Sequence, residues 1–323
     1  MATSVTPRAT IVIVNYNTCD LLRQCLASLR AHAPMYPVVV VDNASTDDSA
    51  IMVEGEFPEV TLLRNPQNIG FGAANNRALA GVKTEFTMLL NSDARVEDDV
   101  IAASARTLDE RPEAGLVGPR LKWPDGTTQR SARRFPSARR SLRNALALQD
   151  AIPSALTEAD YVDGAAALVR TRALRGVKGF DERFFLYAED ADLCRRLKLA
   201  GWRIFYDPRV HAVHIGGGST QRGSAEDDRR RWEALALYAT IHFGPAQYAA
   251  FVIARALELV RQTVTSAARA ALQGDRAALE MCVTALRHLC WHPGYFQRAA
   301  LEQRMRCNPP ARLPAVAIDE PSP

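Results

Sequence analysis

The sequence predicts an α/β protein in which helices cover both faces of a doubly wound, mostly parallel β-sheet. Short apolar runs alternate with segments of helical periodicity, and this alternation is typical of parallel strands joined by helices. The runs are almost entirely apolar, as expected for strands that are buried on both faces of a sheet. They lie at residues 9–15, 38–41, 60–63 and 86–90.

Helices are predicted between these strands. The apolar side chains of residues 20–31 that share one helical face are Leu21, Leu22, Cys25, Leu26 and Leu29. Ser45 or Thr46 can cap the second helix, whose first turn carries acidic residues that suit the helix dipole. Residues 75–81 and 94–108 are predicted to be the other helices of this half of the chain.

The pattern is less regular after residue 114. Residues 123–126 (W-P-D-G) have the composition of a turn and are expected to form a hairpin tip. The arginine-rich piece at 130–143 has little apolar periodicity and is predicted to be an exposed loop or helix. The other predicted elements are strands ending near 117–119 and at 162–169, 202–206 and 210–215, and a helix at 191–200.

Three regions are expected along the chain: an α/β domain at residues 1–223, a helical region at 224–306 and a disordered tail at 307–323. Helical periodicity prevails from residue 226, and the last residues are rich in Pro and Ala. The chain has 323 residues, of which 47% are hydrophobic, so it can bury a substantial core.

The net charge, the cysteine spacing and the lengths of the apolar runs indicate which partners and which cellular compartment to expect. The net charge is only +4, so the charge balance does not require a nucleic-acid partner. The six cysteines show no C-x-x-C spacing, and we interpret them as reduced thiols of a cytosolic protein. We find neither a basic and apolar leader nor a run of about 20 apolar residues. We therefore expect a cytoplasmic protein without a signal peptide or a membrane span.

Polar residues follow the predicted strands at the points where they end. Because the carboxyl ends of parallel strands lie along one edge of the sheet, these residues are expected to be close together. An aromatic ring can stack on a base, glycines admit a ligand close to the backbone, and Mg²⁺ or Mn²⁺ prefers carboxylate oxygens. The pattern predicts a nucleoside diphosphate site with Asp93 as the metal ligand. The clusters are Asn15, Tyr16 and Asn17; Asp42 and Asn43; Asn68, Gly70, Gly72 and Asn75; and Asn91, Ser92 and Asp93.

Two later positions are further candidates. Glu189 and Asp190 begin a predicted helix after the aromatic stretch 184–187, and apolar surroundings raise the pKa of a carboxyl toward that of a base catalyst. His214 ends a strand before three glycines and is a candidate metal ligand. Plainer alternatives stay open: the two acids compensate a helix dipole, His214 is structural, and Asp93 caps the helix that follows it.

The pair Gly70-x-Gly72 allows a rival interpretation, because a G-x-G-x-x-G turn is the dinucleotide-binding fingerprint. Asn75 stands where the third glycine would be, and the fingerprint normally occupies the first strand-to-helix turn, which has no glycine here. These two departures disfavour a nicotinamide-dependent dehydrogenase.

Several segments occur in an order typical of one enzyme family. They are V-I-V-N-Y-N at 12–17, V-V-V-D-N-A-S-T-D at 39–47, N-I-G-F-G-A-A-N-N at 68–76, L-L-N-S-D at 89–93, F-F-L-Y-A-E-D-A-D-L-C-R-R at 184–196 and V-H-I-G-G-G-S at 213–219. Together they resemble inverting family 2 glycosyltransferases of the Rossmann-like GT-A fold, and most of all bacterial rhamnosyltransferases that build cell-surface polysaccharides.

The resemblance implies a role for each matching position. Tyr16 and Asp42 would hold the base, and Asn75 would lie near the diphosphate. Asp93 would be the last residue of the family's D-x-D metal motif, and His214 would help to bind the metal or the diphosphate. Asp190, beside Glu189, would be the general base that deprotonates the acceptor hydroxyl.

One departure from the family pattern concerns the metal motif. The position of the first acid of D-x-D is occupied by Asn91 here, so metal affinity would depend mainly on Asp93 and the metal dependence would be partial.

The implied reaction moves L-rhamnose from dTDP-L-rhamnose to a hydroxyl of a glycan or lipid-linked glycan, by one metal-assisted displacement. The alternatives are a UDP-hexose-dependent transferase, a sugar-phosphate nucleotidyltransferase and an inactive or lectin-like binding module. The nucleotidyltransferase would need a basic glycine-rich loop after the first strand, and that loop is absent.

The helical region is expected to contact the inner face of the cytoplasmic membrane or to form a homodimer contact. Residues 246–260 are apolar but too short and too interrupted by Arg255 and Glu258 to span a bilayer. The aromatic residues suited to an interface are Trp232, Phe243, Tyr248, Phe251 and Trp291. The alternative is that these helices only pack on the α/β domain or on each other.

Overall fold

The computed structural model of the protein describes residues 6–148, 150–217 and 225–273. The strands are β1 (Ala9–Asn15), β2 (Val38–Asp42), β3 (Thr61–Arg64), β4 (Phe86–Asn91), β5 (Ala94–Arg95), β6 (Ala114–Lys122), β7 (Ala132–Arg133), β8 (Thr157–Glu158), β9 (Tyr161–Val162), β10 (Ala166–Arg170) and β11 (Arg203–His214). The helices are α1 (Cys19–His32), α2 (Ser49–Glu56), α3 (Phe71–Leu79), α4 (Val100–Glu110), α5 (Ala138–Ala145), α6 (Thr171–Gly176), α7 (Glu189–Leu199), α8 (Ala225–His242) and α9 (Pro245–Gln273).

The strands form a mixed, mostly parallel sheet. Across the described residues the order is β3-β2-β1-β4-β10-β6-β11-β5, and β8 pairs with β11. β1 pairs in parallel with β2 and β4, and β2 pairs in parallel with β3, so these strands end at the same edge. β10 runs antiparallel between β4 and β6, and β7 and β9 form a separate ribbon. The order confirms that the strand-end clusters of the sequence share one edge.

Alternate residues of each strand face opposite layers of helices. Ile11 and Ile13 of β1 lie in the apolar core shared with α1, α2 and α4, whereas Val12 lies in the core shared with α3, α6 and α7. Met88 and Leu89 of β4 divide between the two layers in the same way. Because side chains alternate along a strand, a strand covered on both faces must be apolar throughout. The doubly wound arrangement predicted from the sequence is confirmed.

The helix predicted at 94–108 begins later than expected. The first two residues of that range form β5, and α4 starts at Val100, where the Asp99 carboxylate accepts a hydrogen bond from the Ala102 amide at 2.8 Å. Asp99 is thus the N-cap, which satisfies one of the amides left unpaired at a helix start. The alternative in which Asp93 caps this helix is wrong.

Three other expectations are corrected or refined. The strands predicted at 202–206 and 210–215 are one strand, β11, with an irregularity after Asp207. α3 begins before the predicted residue 75, so Gly72 lies in a helix and not in a loop. The arginine-rich piece contains β7 and α5, and the hairpin tip at 123–126 is confirmed by a 2.9 Å hydrogen bond from the Gly126 amide to the Trp123 carbonyl.

The chain divides into two compact units at residues 258 and 259, inside α9. In the first unit, Tyr238 of α8 is buried against Phe184 and Ala191, so this helix belongs to the packing around α7. The domain boundary predicted at 223 stays a prediction. None of the described helices is both long and apolar enough to cross a bilayer. Predictions for residues 218–224 and 274–323 lie outside the described part of the chain.

Candidate active site

A cavity of about 530 Å³ opens at the carboxyl ends of β1, β2 and β4. It is the position at which open α/β sheets bind their ligands. Segments far apart in sequence meet here, from the first strand to β11 and α8. The predicted site residues that line it are Tyr16, Asn43, Asn68, Gly70, Asn91, Ser92, Asp93, Glu189, Asp190 and His214.

The remaining predicted residues do not line the cavity: Asn15, Asn17, Asp42, Gly72 and Asn75. Asn15 is fully buried, and its amide donates to Asp42 Oδ1 at 3.2 Å and to Ser45 Oγ at 3.1 Å. Asn17 is exposed, and its Oδ1 accepts a hydrogen bond from the Thr46 amide at 2.7 Å. Asn75 donates to the Phe71 carbonyl at 3.0 Å, within its own helix. The bonds of Asn15 and Asn17 join the loops after β1 and β2, and those loops carry residues that do face the cavity.

The loop before α3 supports the opposite wall of the cavity. The Asn43 amide donates to Asn68 Oδ1 at 2.8 Å, which ties the end of β2 to this loop. Gly70 has φ of +88°, and a Cβ there would lie only 2.7 Å from the Phe185 carbonyl oxygen. The Phe71 amide donates to that same carbonyl at 2.8 Å. Glycine is therefore required at residue 70 by both its conformation and the close approach of the Phe185 backbone.

Two consecutive left-handed residues lead into α7 and aim its first turn at the cavity. Tyr187 has φ of 73° and Ala188 has φ of 62°, a backbone region that non-glycine residues seldom adopt. The Asp190 carboxylate follows at once and accepts hydrogen bonds from the Ala191 amide at 2.7 Å and the Gly164 amide at 3.3 Å. Backbone strain of this kind collects at functional sites, where the surrounding packing maintains it.

The two carboxyls at the start of α7 both have raised pKa values. Burial raises the pKa of Asp190 to about 6, and the negative charge of Asp163 adds to the effect. Burial raises the pKa of Glu189 to about 8, with the charge of Asp190 as the next cause. Glu189 is therefore mainly protonated at neutral pH, whereas Asp190 is mainly a carboxylate that can accept a proton.

Helix α8 secures the segment that carries these carboxyls. The Tyr187 hydroxyl donates to Asp227, and the Arg231 guanidinium lies 4.0 Å from the centre of the Tyr187 ring. Further along the helix, His242 Nε2 lies 2.8 Å from the fully buried carboxylate of Asp192. The strained entry into α7 is thus fixed from outside by two polar contacts with α8.

Asp93 and His214 face each other across the strand ends, with His214 Nε2 3.3 Å from Asp93 Oδ1. Gln129 sets the state of the imidazole. Its amide nitrogen donates to the His214 carbonyl, so its Oε1, 3.0 Å from His214 Nδ1, is left to accept a hydrogen bond. This arrangement places a proton on Nδ1, so that in the neutral imidazole the lone pair of Nε2 faces the Asp93 carboxylate.

These residues fit a divalent cation. An imidazole lone pair and a carboxylate oxygen are both electron-rich, so their close approach favours a positive charge beside them. The side-chain oxygen of Asn91, Oδ1, is buried at the same strand end and has no hydrogen-bond partner among the described residues. In that part of the chain no cluster of three or more acidic, His or Cys side chains is suited to a metal. A cation here would take further oxygen ligands from a bound diphosphate.

Sequence reasoning missed several residues of the site. Gln129 carries no motif and lies far in sequence from its partner His214. The arginines were noticed as basic runs, but the sequence did not indicate that members of both runs would face one cavity. The arginines that line it are Arg133, Arg134, Arg140, Arg230, Arg231 and Arg255. Only the tertiary arrangement of β7, α5, α8 and α9, the last of which carries Arg255, brings them together.

Comparison with known proteins agrees with this geometry. The sequence model of the family described as "Glycosyl transferase family 2" matches residues 10–176. The chain is 32% identical over 240 residues to the N-acetylglucosaminyl-diphospho-decaprenol L-rhamnosyltransferase of Mycobacterium tuberculosis, covering 67% of this chain and 78% of that protein. It is 29% identical over 224 residues to the rhamnosyltransferase WbbL of Escherichia coli, covering 63% of this chain and 82% of that one.

Among solved structures, the mannosyltransferase PcManGT from Pyrobaculum calidifontis, in complex with GDP-Man and Mn²⁺, matches with a TM-score of 0.54. Its sequence identity is 21%, and the match covers 94% of this chain and 88% of that chain. The likeness shows a shared fold, and the GT-A architecture expected from the sequence is confirmed. The chain therefore belongs to glycosyl transferase family 2 and is a glycosyltransferase that resembles bacterial rhamnosyltransferases.

Proposed function

We propose that the protein transfers L-rhamnose from dTDP-L-rhamnose to a hydroxyl of a glycan or lipid-linked glycan, with inversion at the anomeric carbon. The main support for the proposal is that Asp190 and the Asp93–His214 pair line the same cavity. The donor sugar is supported by the two relatives named as rhamnosyltransferases. A lipid-diphosphate acceptor is supported by the name of the mycobacterial relative.

Asp190 is the general base of this reaction. Its carboxylate takes the proton of the acceptor hydroxyl, and the acceptor oxygen forms a bond to the anomeric carbon. The bond between that carbon and the diphosphate breaks at the same time, and the nucleoside diphosphate leaves on the opposite face. One displacement inverts the centre. The raised pKa of Asp190 suits the role because a base near neutrality accepts a proton efficiently.

The donor lies along the strand ends. Tyr16 stacks on the base, Asn43 and Asn68 shape the pocket for the nucleoside, and Gly70 admits the donor close to the backbone. Asp42 and Asn15 hold the loop behind them. Asp93 and His214 would hold a Mg²⁺ or Mn²⁺ ion, which supplies positive charge to the leaving diphosphate when it is bound. The other half of the cavity, with its arginines, receives the acceptor.

A donor panel tests the proposal. Release of nucleoside diphosphate is measured with dTDP-L-rhamnose, UDP-glucose, UDP-galactose and GDP-mannose, in the presence of Mg²⁺ and a lipid-diphosphate-linked sugar. We expect turnover with dTDP-L-rhamnose and little with the others. A clear preference for a UDP-hexose would refute the rhamnose assignment and leave the glycosyltransferase class intact. Formation of a nucleotide sugar from a sugar phosphate would refute the reaction itself.

A further inference from the structure

Helix α5 has two faces with different surroundings. Arg140, Ser141 and Asn144 line the active-site cavity. Arg139, Leu142 and Leu146 lie three or four residues apart, so they share the other side of the helix. One short helix therefore forms part of the cavity wall and, on its other side, part of the protein surface.

The outer side of α5 is apolar and open to solvent. Leu142 is 46% exposed and Leu146 is 63% exposed. The chain then folds back, because the Leu148 amide donates to the Arg143 carbonyl at 2.9 Å, and Leu148 is itself 46% exposed. We call Arg139, Leu142, Leu146 and Leu148 the α5 surface. Leucines exposed together beside a cavity mouth usually mark a contact surface, since exposed leucines elsewhere on proteins are scattered.

The charge around the α5 surface is strongly positive. Residues 126–149 contain six arginines and no acidic residue. Asp150 pairs with Arg140 and Arg143 of the helix, and Asp163 pairs with Arg133. With Asp160, which lies near Arg134, three carboxylates are set against six guanidinium groups, so positive charge is in excess along this segment and at the cavity that Arg133, Arg134 and Arg140 line. Apolar side chains combined with excess arginine are the composition of a helix that lies on an anionic bilayer.

We propose that the α5 surface docks the protein on the surface of an anionic membrane, with its leucines in the headgroup region. A second copy of the chain is the less suitable occupant. In a two-fold dimer the same patch meets itself, so two arginine-rich segments would repel each other. An anionic lipid surface satisfies the arginines and removes the leucines from water.

Docking through α5 has a consequence for the acceptor. Because the same helix lines the cavity, the cavity mouth would lie at the membrane surface, where the head of a lipid-linked sugar is found. This consequence depends on the acceptor class of the proposed function, whereas the docking itself does not. Membrane binding can therefore be tested without any sugar nucleotide.

The test is co-flotation of the full chain with vesicles made of equal parts phosphatidylglycerol and phosphatidylcholine. A triple variant carries Leu142→Ser, Leu146→Ser and Leu148→Ser. The two controls are Ile51→Ser in α2 and Leu199→Ser in α7, which replace apolar residues that are also exposed but lie outside the α5 surface. We expect the vesicle-bound fraction of the triple variant to be at least about tenfold lower than that of wild type, and the controls to bind as wild type does. Thermal unfolding of each variant checks that the fold is retained.

Lipid composition and charge provide a second, independent measurement. Arg139→Glu should weaken binding to the anionic vesicles at low salt, and wild type should bind vesicles of phosphatidylcholine alone poorly. The proposal is overturned if wild type does not float with anionic vesicles, or if the triple variant floats as well as wild type. It is also overturned if sedimentation shows that wild type and the controls are dimers whereas the triple variant is a monomer, because the α5 surface would then be occupied by a second copy of the chain.

Discussion

Asp190 and Glu189 are neighbours in sequence whose environments give them different protonation states at neutral pH. Burial raises the pKa of both carboxyls, and the charge of Asp190 raises the pKa of Glu189 further, so the pair carries mainly one negative charge near neutrality. The hydrogen bonds from two backbone amides favour that charge on Asp190. We infer that Asp190 accepts the proton and that Glu189 keeps the neighbouring position neutral.

Removal of the base should slow transfer without weakening donor binding. Asp190→Asn keeps the shape of the side chain but cannot accept the proton, so kcat should fall by on the order of 10²-fold or more. Donor affinity, measured by calorimetry, should stay close to that of wild type because the donor contacts lie along the strand ends. Near-normal turnover of this variant would contradict the assignment.

The pH profile of transfer should report the titration of the same group. Because the proposed base is the Asp190 carboxylate, kcat/KM should rise with pH through about 6 and then level off. Asp163→Asn removes a negative charge near Asp190 and leaves the charge of Arg133, so the midpoint should move to lower pH. A wild-type profile that is flat from pH 5 to pH 8 would rule out a base with a raised pKa.

Asp93 is expected to hold the metal that binds with the donor. Asp93→Ala should weaken nucleotide binding in the presence of Mg²⁺ or Mn²⁺, and EDTA should weaken wild-type binding to a similar level. Gln129→Leu, which removes the hydrogen bond that orients His214, should give a smaller loss of about 10- to 100-fold in metal affinity. Binding that is equally tight with EDTA and with the alanine variant would exclude the metal role.

At the scale of elements, the strained entry into α7 is supported by the loop before α3. Gly70 lies against the backbone of Phe185, and this contact lets the loop support the segment that positions Asp190. A side chain at residue 70 would push that segment away. A displacement of about 1 Å in a catalytic group can lower a rate by about 100-fold.

Gly70→Ala should therefore lower kcat strongly. Gly126→Ala is the matched control, because Gly126 also has a positive φ, of 83°, but has nothing within 4 Å of where its Cβ would be. Both variants carry the backbone strain of alanine at positive φ, and only the first meets the Phe185 carbonyl. Equal losses of transfer in the two variants would show that contact with Phe185 is not the cause.

Helix α8 joins the C-terminal half of the chain to the segment that carries the proposed base. It contributes Asp227 and Arg231 to the Tyr187 contacts, and His242 to the buried carboxylate of Asp192. Asp192 is fully buried, and a buried polar group that loses a hydrogen-bond partner costs about 1 to 3 kcal/mol. We infer that α8 is required for an active site even though the family match ends at residue 176.

Two shortened chains separate the parts of the C-terminal half. A chain that ends at residue 223 loses α8, and its transfer activity should fall by on the order of 10²-fold or more because the segment before Asp190 loses its support. A chain that ends at residue 273 keeps α8 and should retain transfer. Full activity of the shorter chain would show that α8 is dispensable and that the predicted boundary at 223 also bounds the functional unit.

The sheet, and the edge at which its polar strand ends meet, could be predicted from the sequence alone. Apolar runs such as 86–90 can only be buried on both faces, and this requires helices above and below the sheet. Once the strands are parallel, their ends share an edge, so residues such as Asn43, Ser92 and Asp93 meet there without further information. The order of the motifs then sufficed to indicate the family, and the prediction that Asp190 is the base follows from that resemblance.

Which polar groups face the cavity, and which contacts hold them in place, could not be predicted, because both depend on the packing of segments far apart in sequence. Asp42 and Asn15 belong to the sequence motifs, but their side chains hydrogen-bond to each other and do not line the cavity. A polar side chain at the end of a strand can point toward the cavity or toward the protein interior, and the motif does not indicate which. Gln129 reaches His214 across 85 positions in sequence, a contact that no local pattern encodes. The packing of α5 and α8 turned two arginine runs into the rim of one cavity, since long-range packing and not local periodicity sets where such helices lie.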